Sequence, residues 1–235
     1  MLDTEYLRDL APGFDISYVP VIDSTNRALL ADTGAGERSV LIAGEQTAGR
    51  GRMSRSFASP EGGLYMSVLL RPASAEAALE LTPRAAVAVC RAIESCFGRS
   101  TEIKWVNDVL IGGRKVCGIL AEARASDGLT VVLGIGVNIS TVPSGLEETA
   151  GAILEAPQER SRERLAGAIL NELSGGRGVY SEYVRRCSTP GRVVSVSRGG
   201  ERFTARALAV DESFRLVVER GGRLERLDSG EVSVK

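Results

Sequence analysis

The chain has 235 residues, a length that suits one large domain or one domain with a small appendage. A hydrophobic content of 43 % with a net charge of -1 describes an ordinary globular protein and excludes a global basic field for nucleic acid or anionic membrane. The absence of histidine excludes Ser-His-Asp, Cys-His and His-metal chemistry, leaving acid–base work to carboxylates, lysine or the substrate.

Residues 1–12, MLDTEYLRDLAP, are acidic and lack an apolar core, so they do not read as a secretion signal. DISYVPVID (15–23) alternates as a strand does, and DSTNRALLAD (23–32) reads as a helix start with Asp23 or Ser24 as N-cap. SVLIAGEQ (39–46) is a buried strand that leads into GEQTAGRGRMSRSF (44–57). GGLYMSVLLRP (62–72) is the next strand, and its apolar run is far too short to span a bilayer. A long helix is predicted over 75–97, with Pro83 starting its main segment. TEIKWVND (101–108) and VCGILAEAR (116–124) read as strands of a hairpin about the tight turn at Gly112-Gly113, and LTVVLGIGVNIS (129–140) is one more strand. Residues 142–154 read as a loop with a short helix, and 158–184 as an amphipathic helix whose limits nearby glycines obscure. After Pro190 short strands and turns replace any helical period, which predicts a small β-barrel or SH3-like module of about 45 residues. The prediction is an α/β (α+β) protein divided into 1–187 and 188–235. Cys90, Cys96, Cys117 and Cys187 form no CxxC pair and read as reduced thiols of a cytoplasmic protein.

Rare residues mark where chemistry gathers. Only three of 29 cationic residues are lysines, and two of them, Lys104 and Lys115, flank KWVNDVLIGGRK together with the only tryptophan, Trp105. A lysine kept in an arginine-rich chain points to a need for a compact point charge. Three of the four asparagines, Asn26, Asn107 and Asn138, lie in DSTN, KWVND and GIGVN, and Gln46 opens the arginine loop.

That loop, Gly49-Arg50-Gly51-Arg52, is neither a P-loop nor a dinucleotide fingerprint: no Gly-Lys-Ser/Thr follows, and the third glycine position holds Ser54. Its glycines let backbone N–H groups converge on an anion and its arginines add bidentate phosphate contacts, although a solvated surface loop has the same composition. Strand alternation places Lys104, Val106 and Asp108 on one face and Trp105 and Asn107 on the other. A lysine near an Asn-Asp pair suits a phosphate and Mg²⁺, and equally an ordinary hairpin with ion pairs. GIGVN and DSTN are each also explained by a strand-end turn and by helix capping.

In this order and spacing, DSTN, GEQTAGRGRMSRSFASPEGGLYMSVLLRP, KWVNDVLIGGRKVCGILAEA, LGIGVNIS and the terminal β-module resemble the biotin protein ligase family. The resemblance implies a mixed-sheet catalytic domain with helices, followed by an SH3-like cap. It implies reaction of biotin with ATP, assisted by Mg²⁺, to biotinyl-5′-AMP and pyrophosphate, then transfer to one lysine of the biotin carboxyl carrier protein of acetyl-CoA carboxylase. By matching motifs, Ser24, Thr25, Asn26 and Gln46 line the biotin ureido end. Arg50, Gly51 and Arg52 close over biotin and the adenylate phosphate. Lys115, joined by the Gly118 backbone, contacts the biotin carboxyl and phosphate. Lys104 stands near the phosphates, Asn107 and Asp108 near metal and nucleotide, and Asn138 bonds adenine. The catalytic set is thus Lys115, Arg50, Arg52 and Lys104, with Asp108 the Mg²⁺ candidate.

Val106 stands where the family has proline and Phe57 where it has tryptophan. About 15 residues precede the first strand, so no DNA-binding helix-turn-helix, no DNA partner and no membrane partner are expected, while a homodimer is compatible with the resemblance. A lipoate or octanoate ligase of the same superfamily is the alternative enzyme, favoured by a long apolar acyl pocket. A nucleic-acid module using the arginine loop is the alternative of another class, and neutral charge argues against it.

Overall fold

The computed structural model describes residues 2–126, 128–175, 178–228 and 231–234. In chain order these fold into α1 (Thr4–Leu10), β1 (Asp15–Ile22), α2 (Thr25–Ala31), β2 (Ser39–Gln46), a 3₁₀ turn (Arg52–Ser54), β3 (Leu64–Leu70) and α3 (Ala75–Phe97). Then come β4 (Glu102–Lys104), β5 (Asp108–Ile111), β6 (Arg114–Ser126), β7 (Gly128–Val137), α4 (Ser161–Gly175) and α5 (Val179–Arg186). The chain closes with β8 (Val193–Arg198), β9 (Glu201–Val210), β10 (Leu216–Arg220), β11 (Arg223–Leu227) and β12 (Glu231–Val234).

The first seven strands form one sheet in the order β1-β2-β3-β7-β6-β5-β4. β1 and β2 are parallel, with α2 between them in sequence, and the other neighbours are antiparallel. The sheet is therefore mixed, as expected. Its pleat sends alternate residues to opposite faces. Leu64, Met66 and Val68 of β3 and Leu133, Ile135 and Val137 of β7 enter the main core with Val89 and Ile93 of α3 and Leu165 and Ile169 of α4. The other face is smaller: Leu29 of α2 packs on Leu69 and Val132. Beside that patch the same face carries Gly118 paired with Gly136, and Leu120 paired with Gly134. Glycines there leave room above the sheet.

Helix α3 has the predicted limits, with Ser74 Oγ accepting from the Ala77 N–H at 3.2 Å and Gly98 closing it at φ 64°. Pro83 does not start a segment, because the helix runs through it. A proline inside a helix costs about 3 kcal/mol through the missing N–H and the clash of its ring with the preceding turn. Val87, Val89 and Ile93, fully buried beyond it, each contribute roughly 1.5–3 kcal/mol, which offsets that cost.

The expected strand over 101–108 breaks after Lys104 into a turn at 105–107, whose Trp105–Val106 peptide is cis. Trp105 is buried, its backbone N–H donating to Thr189 Oγ1 at 2.9 Å and its Nε1 to the Phe214 carbonyl at 2.8 Å. A buried indole needs such a partner, and that need overrides strand alternation. Lys104 and Asp108 thus face each other across the β4–β5 ladder, and Asn107 shares their side of the cavity. The Gly112-Gly113 turn forms as expected, with φ 57° and 77°. Residues 142–154 hold turns rather than a short helix, since their backbone is spent on β6: Lys115 N–H donates to Thr149 and Gly151 N–H to Lys115. The single helix expected over 158–184 is two, α4 and α5, with Gly178 at φ 67° capping the second.

The terminal module is a five-stranded antiparallel SH3-like sheet in the order β11-β10-β9-β8-β12. Among the described residues its two edge strands do not pair, so the expected barrel is an open sheet. Its apolar face (Val194, Val196, Ala207, Leu216, Val218) is continuous with the main core. Tyr180 and Tyr183 of α5 meet Phe214 edge-on at 5.7 and 5.3 Å between ring centroids.

Candidate active site

The glycine-floored face is roofed by the N-terminus of α2 and by the arginine loop, enclosing a cavity of ≈ 330 Å³. That falls at the lower end of the range for small-molecule sites. Ser24 caps α2, its Oγ accepting from the Arg27 N–H at 3.4 Å. Capping turns Thr25 and Asn26 inward, where both are buried. Gln46 Oε1 accepts from the Thr25 N–H at 2.8 Å and from its hydroxyl at 3.0 Å, and Gln46 Nε2 donates to Ser59 at 2.9 Å. The Ser67 hydroxyl lies 2.7 Å from Thr25 Oγ1 and 2.6 Å from Asn26 Oδ1. Asn26 Nδ2 donates to Glu122 at 3.0 Å and to the Leu120 carbonyl at 3.2 Å. This end of the cavity is a rigid polar lattice of fixed donors and acceptors.

The arginine loop folds back on itself: Gly51 N–H donates to Arg55 O at 2.7 Å and Phe57 N–H to Gly49 O at 2.8 Å. Gly49 has no room for a side chain, since a Cβ there would stand 2.3 Å from Phe57 O. Arg50 pairs with Glu122 at 2.8 Å, and Arg52 donates to Asn107 Oδ1 at 3.0 Å, so both arginines reach the sheet. Asn107 Nδ2 in turn donates to the Ile119 carbonyl at 3.0 Å. The Phe57 ring lies over Gly118 and Gly136, where an added Cβ would meet it at 2.9 and 2.4 Å.

A second cavity of ≈ 600 Å³ adjoins the first; Phe57, Lys104, Asp108 and Lys115 line both. Asn138 lines only the second, with its Nδ2 donating to Gly151 O at 3.1 Å. Lys115 Nζ stands 2.7 Å from Asp108 Oδ1 and 5.6 Å from the Phe57 ring centroid. The Lys115–Asp108 pair is close but lies outside hydrogen-bond angles, so buried Asp108 Oδ1 accepts no hydrogen bond. Asn138 Oδ1 is likewise buried without a donor, and two of the three such atoms among the described residues therefore sit at this site. Asp108 Oδ1 keeps Lys115 as an ion-pair partner, whereas the buried Asn138 Oδ1 has no donor and suits a ligand that brings one.

Neither flanking acid is a nucleophile or a base. Burial pushes the Cys117 thiol well above its ordinary range, and burial together with nearby Glu45 does the same to Tyr65, whose hydroxyl donates to Pro60 O at 2.6 Å. Arg50, Arg52, Lys104 and Lys115 give the site a cationic lining suited to anions.

All thirteen residues expected from the sequence border one of the two cavities, twelve the first and Asn138 the second. Sequence reasoning missed Ser67 and Glu122, which hold Asn26, although Ser67 interrupts an apolar strand and so carried a signal. It also missed Ser188, Arg192, Val232 and Ser233, which line the cavities from the terminal module and the link to it.

Residues 18–138 match the model of the biotin/lipoate A/B protein ligase family. The chain belongs to that family. It is 33 % identical to a bifunctional ligase/repressor of Bacillus subtilis over 94 % of this chain and 74 % of that protein. It is also 33 % identical to a biotin–[acetyl-CoA-carboxylase] ligase of Mycobacterium tuberculosis, over 98 % of this chain and 95 % of the relative. The fold is that of the biotin protein ligase from Aquifex aeolicus in complex with biotin and ATP, with a TM-score of 0.78 at 24 % identity, covering 94 % of this chain and 98 % of the other. Among the described residues of this family member, no helix is long and apolar enough to cross a membrane.

Proposed function

We propose that the chain is a biotin protein ligase that joins biotin and ATP into biotinyl-5′-AMP, releases pyrophosphate, and passes biotin to a lysine of a biotin carboxyl carrier protein. The observation that carries this reading is the placement of Lys115 between a cavity ending in a polar lattice and a second cavity holding Asn138. A ureido group has donors and a carbonyl acceptor, which suit the fixed partners at Ser24, Thr25, Asn26 and Gln46. Biotin's valeryl chain then runs over the glycine floor toward Lys115 and the Gly118 backbone. ATP enters the second cavity with adenine toward Asn138 and the α-phosphate at Lys115.

Two anions must meet for the reaction to occur, a carboxylate and a triphosphate. Lys115 holds both near one ammonium, with Arg50 and Arg52 above and Lys104 beside them, so their repulsion is lowered by charges already in place. The carboxylate oxygen attacks the α-phosphorus, and the α–β bridging bond breaks with its electron pair leaving on pyrophosphate. No proton is transferred, which agrees with a site lacking histidine. In the second step the carrier lysine, as a neutral amine, attacks the acyl carbon. The bond from that carbon to the phosphate oxygen breaks with its electron pair leaving on AMP, and the amine's proton passes to solvent.

Among the described residues no group of three or more acidic, cysteine or histidine side chains gathers to cage a metal. The residues fit an ion that arrives with the nucleotide, since Mg²⁺ needs only one or two carboxylates besides phosphates and water. Asp108, whose Oδ1 is ion-paired with Lys115 but accepts no hydrogen bond, and Asn107 would hold it. Bound there, Mg²⁺ supplies neutralisation of phosphate charge. The polar end of the first cavity favours biotin over lipoate, whose dithiolane ring would leave those donors and acceptors unpaired.

We place the unit boundary between Cys187 and Ser188, supported by the change from helices to short strands there. A cytoplasmic setting is supported by four cysteines with no disulfide between them. The test is incubation with biotin, ATP, Mg²⁺ and a carrier domain, reading biotin on the carrier lysine. Equal transfer of lipoate, or none of biotin, would refute the assignment.

A further inference from the structure

Past Lys115 and Lys104 the second cavity continues to the segment that joins the two sheets, where Ser188, Arg192 and Ser233 line it. Backbone pairing and side-chain contacts together set how these residues follow one another. Lys115 on β6 pairs with Asp108 on β5, and Asp108 is the register partner of Lys104 on β4. The edge of β4 does not end the row, because Ser188 N–H donates to Ile103 O at 2.9 Å and Cys187 bridges Ile103 in parallel. Arg192 then donates its Nε to Ser188 O at 2.9 Å. Adjacent strands are about 4.8 Å apart. Lys115, Lys104 and Arg192 therefore step across the sheet edge in that order, along the cavity wall.

Neither Lys104 nor Arg192 makes an ion pair among the described residues, whereas Lys115 is paired with Asp108. The Arg192 guanidinium is exposed and held by one hydrogen bond through Nε. Three carboxylates, Glu102, Glu148 and the Lys115-paired Asp108, line the same cavity and limit its positive potential. An unpaired arginine anchored by Nε presents a fork suited to a terminal phosphate.

We propose that Arg192, outside the catalytic sheet, binds the β- and γ-phosphates of ATP and the pyrophosphate that departs as them. This rests on the ligase reading above. With adenine at Asn138 and the α-phosphate at Lys115, the remaining phosphates run along the row past Lys104 to Arg192. When the α–β bond breaks, the electron pair goes to the pyrophosphate oxygen, and the added charge falls beside Lys104 and Arg192. Arg192 is a substrate-positioning and leaving-group residue contributed by the link between the sheets.

The test compares wild type with Arg192→Ala, Arg192→Lys and Arg192→Glu in biotin-dependent exchange of labelled pyrophosphate into ATP. Loss of one charge-assisted contact predicts a rise of about tenfold in KM for ATP and a similar weakening of inhibition by pyrophosphate. KM for biotin and the melting temperature stay at wild-type values. The lysine variant recovers part of the loss and the glutamate variant exceeds the alanine one. Transfer from preformed biotinyl-5′-AMP to the carrier proceeds at the wild-type rate in all three. Unchanged KM for ATP and unchanged pyrophosphate inhibition in the alanine and glutamate variants overturn the proposal while the ligase reading stands. A wild type without biotin-dependent exchange overturns both.

Discussion

Gly134→Ala is the sharpest probe of the polar lattice. A Cβ on Gly134 would stand 2.2 Å from Asn26 Oδ1, 2.8 Å from its Cγ and 3.0 Å from its Nδ2. Asn26 cannot swing away into water, because it is 4 % exposed and its amide is fixed by Ser67, Glu122 and the Leu120 carbonyl. Forcing a methyl into a packed site costs about 1–3 kcal/mol. Each displaced hydrogen bond adds about 1 kcal/mol, and more for the one to ionised Glu122. Partial relaxation keeps the sum at roughly 2–4 kcal/mol, which lowers the melting temperature of a chain this size by roughly 5–15 °C. Because the same amide faces the first cavity, KM for biotin should rise by about tenfold or more while KM for ATP holds, a difference of about 1.4 kcal/mol in binding. Gly36→Ala is the matched control: nothing lies within 4 Å of its Cβ, so its melting temperature should stay within about 1 °C of wild type. Calorimetry and exchange kinetics on both variants decide the matter. If Gly134→Ala melts with the control and keeps its biotin KM, the lattice is not rigid and the reasoning fails.

Lys115→Ala should abolish biotin-dependent pyrophosphate exchange, by at least about a hundredfold, with the fold retained; a normal exchange rate would remove Lys115 from its central role. Acid should weaken the contact between α3 and α5. Hydrogen bonds from Arg186 hold Glu94 below the usual carboxylate range. Burial pushes Glu182 up, but hydrogen bonds from Arg91 and Arg186 outweigh it and leave it lowered as well. Lowered folded-state values give stability that is present above about pH 4.5 and lost as the pH falls through them. Melting temperature should therefore hold from pH 8 to 6 and fall below about pH 4.5, more steeply than in Arg186→Met, which should already be less stable at pH 7. Parallel acid limbs in the two proteins would show that this network does not govern the transition.

Residues whose role is local were legible in the sequence. Ser24 caps its helix and Gly112-Gly113 turns its hairpin, each for reasons contained in a few neighbouring residues. Where a distant partner decides the geometry, local pattern misled. Trp105 breaks a strand because its indole nitrogen needs the carbonyl of Phe214, over a hundred positions away. Pro83 sits inside a helix because apolar side chains beyond it need the core. Asn26 was visible as a candidate, but Ser67 and Glu122, which set its direction, come from strands the sequence could not bring beside it. Arg192 lies in a turn whose closeness to Lys104 depends on Ser188 extending the sheet.

The lining of the first cavity runs from Ser24 to Val232. A chain emerging from the ribosome can build the seven-stranded sheet and its helices long before β12 exists, since earlier segments fold first. The cavity, however, gains its last wall only with that final strand. Intermediates in synthesis would thus hold an incomplete pocket, and so would products of proteolysis that have lost the end of the terminal module. Full enclosure of the first cavity therefore belongs to the finished molecule, because its lining draws on both ends of the chain.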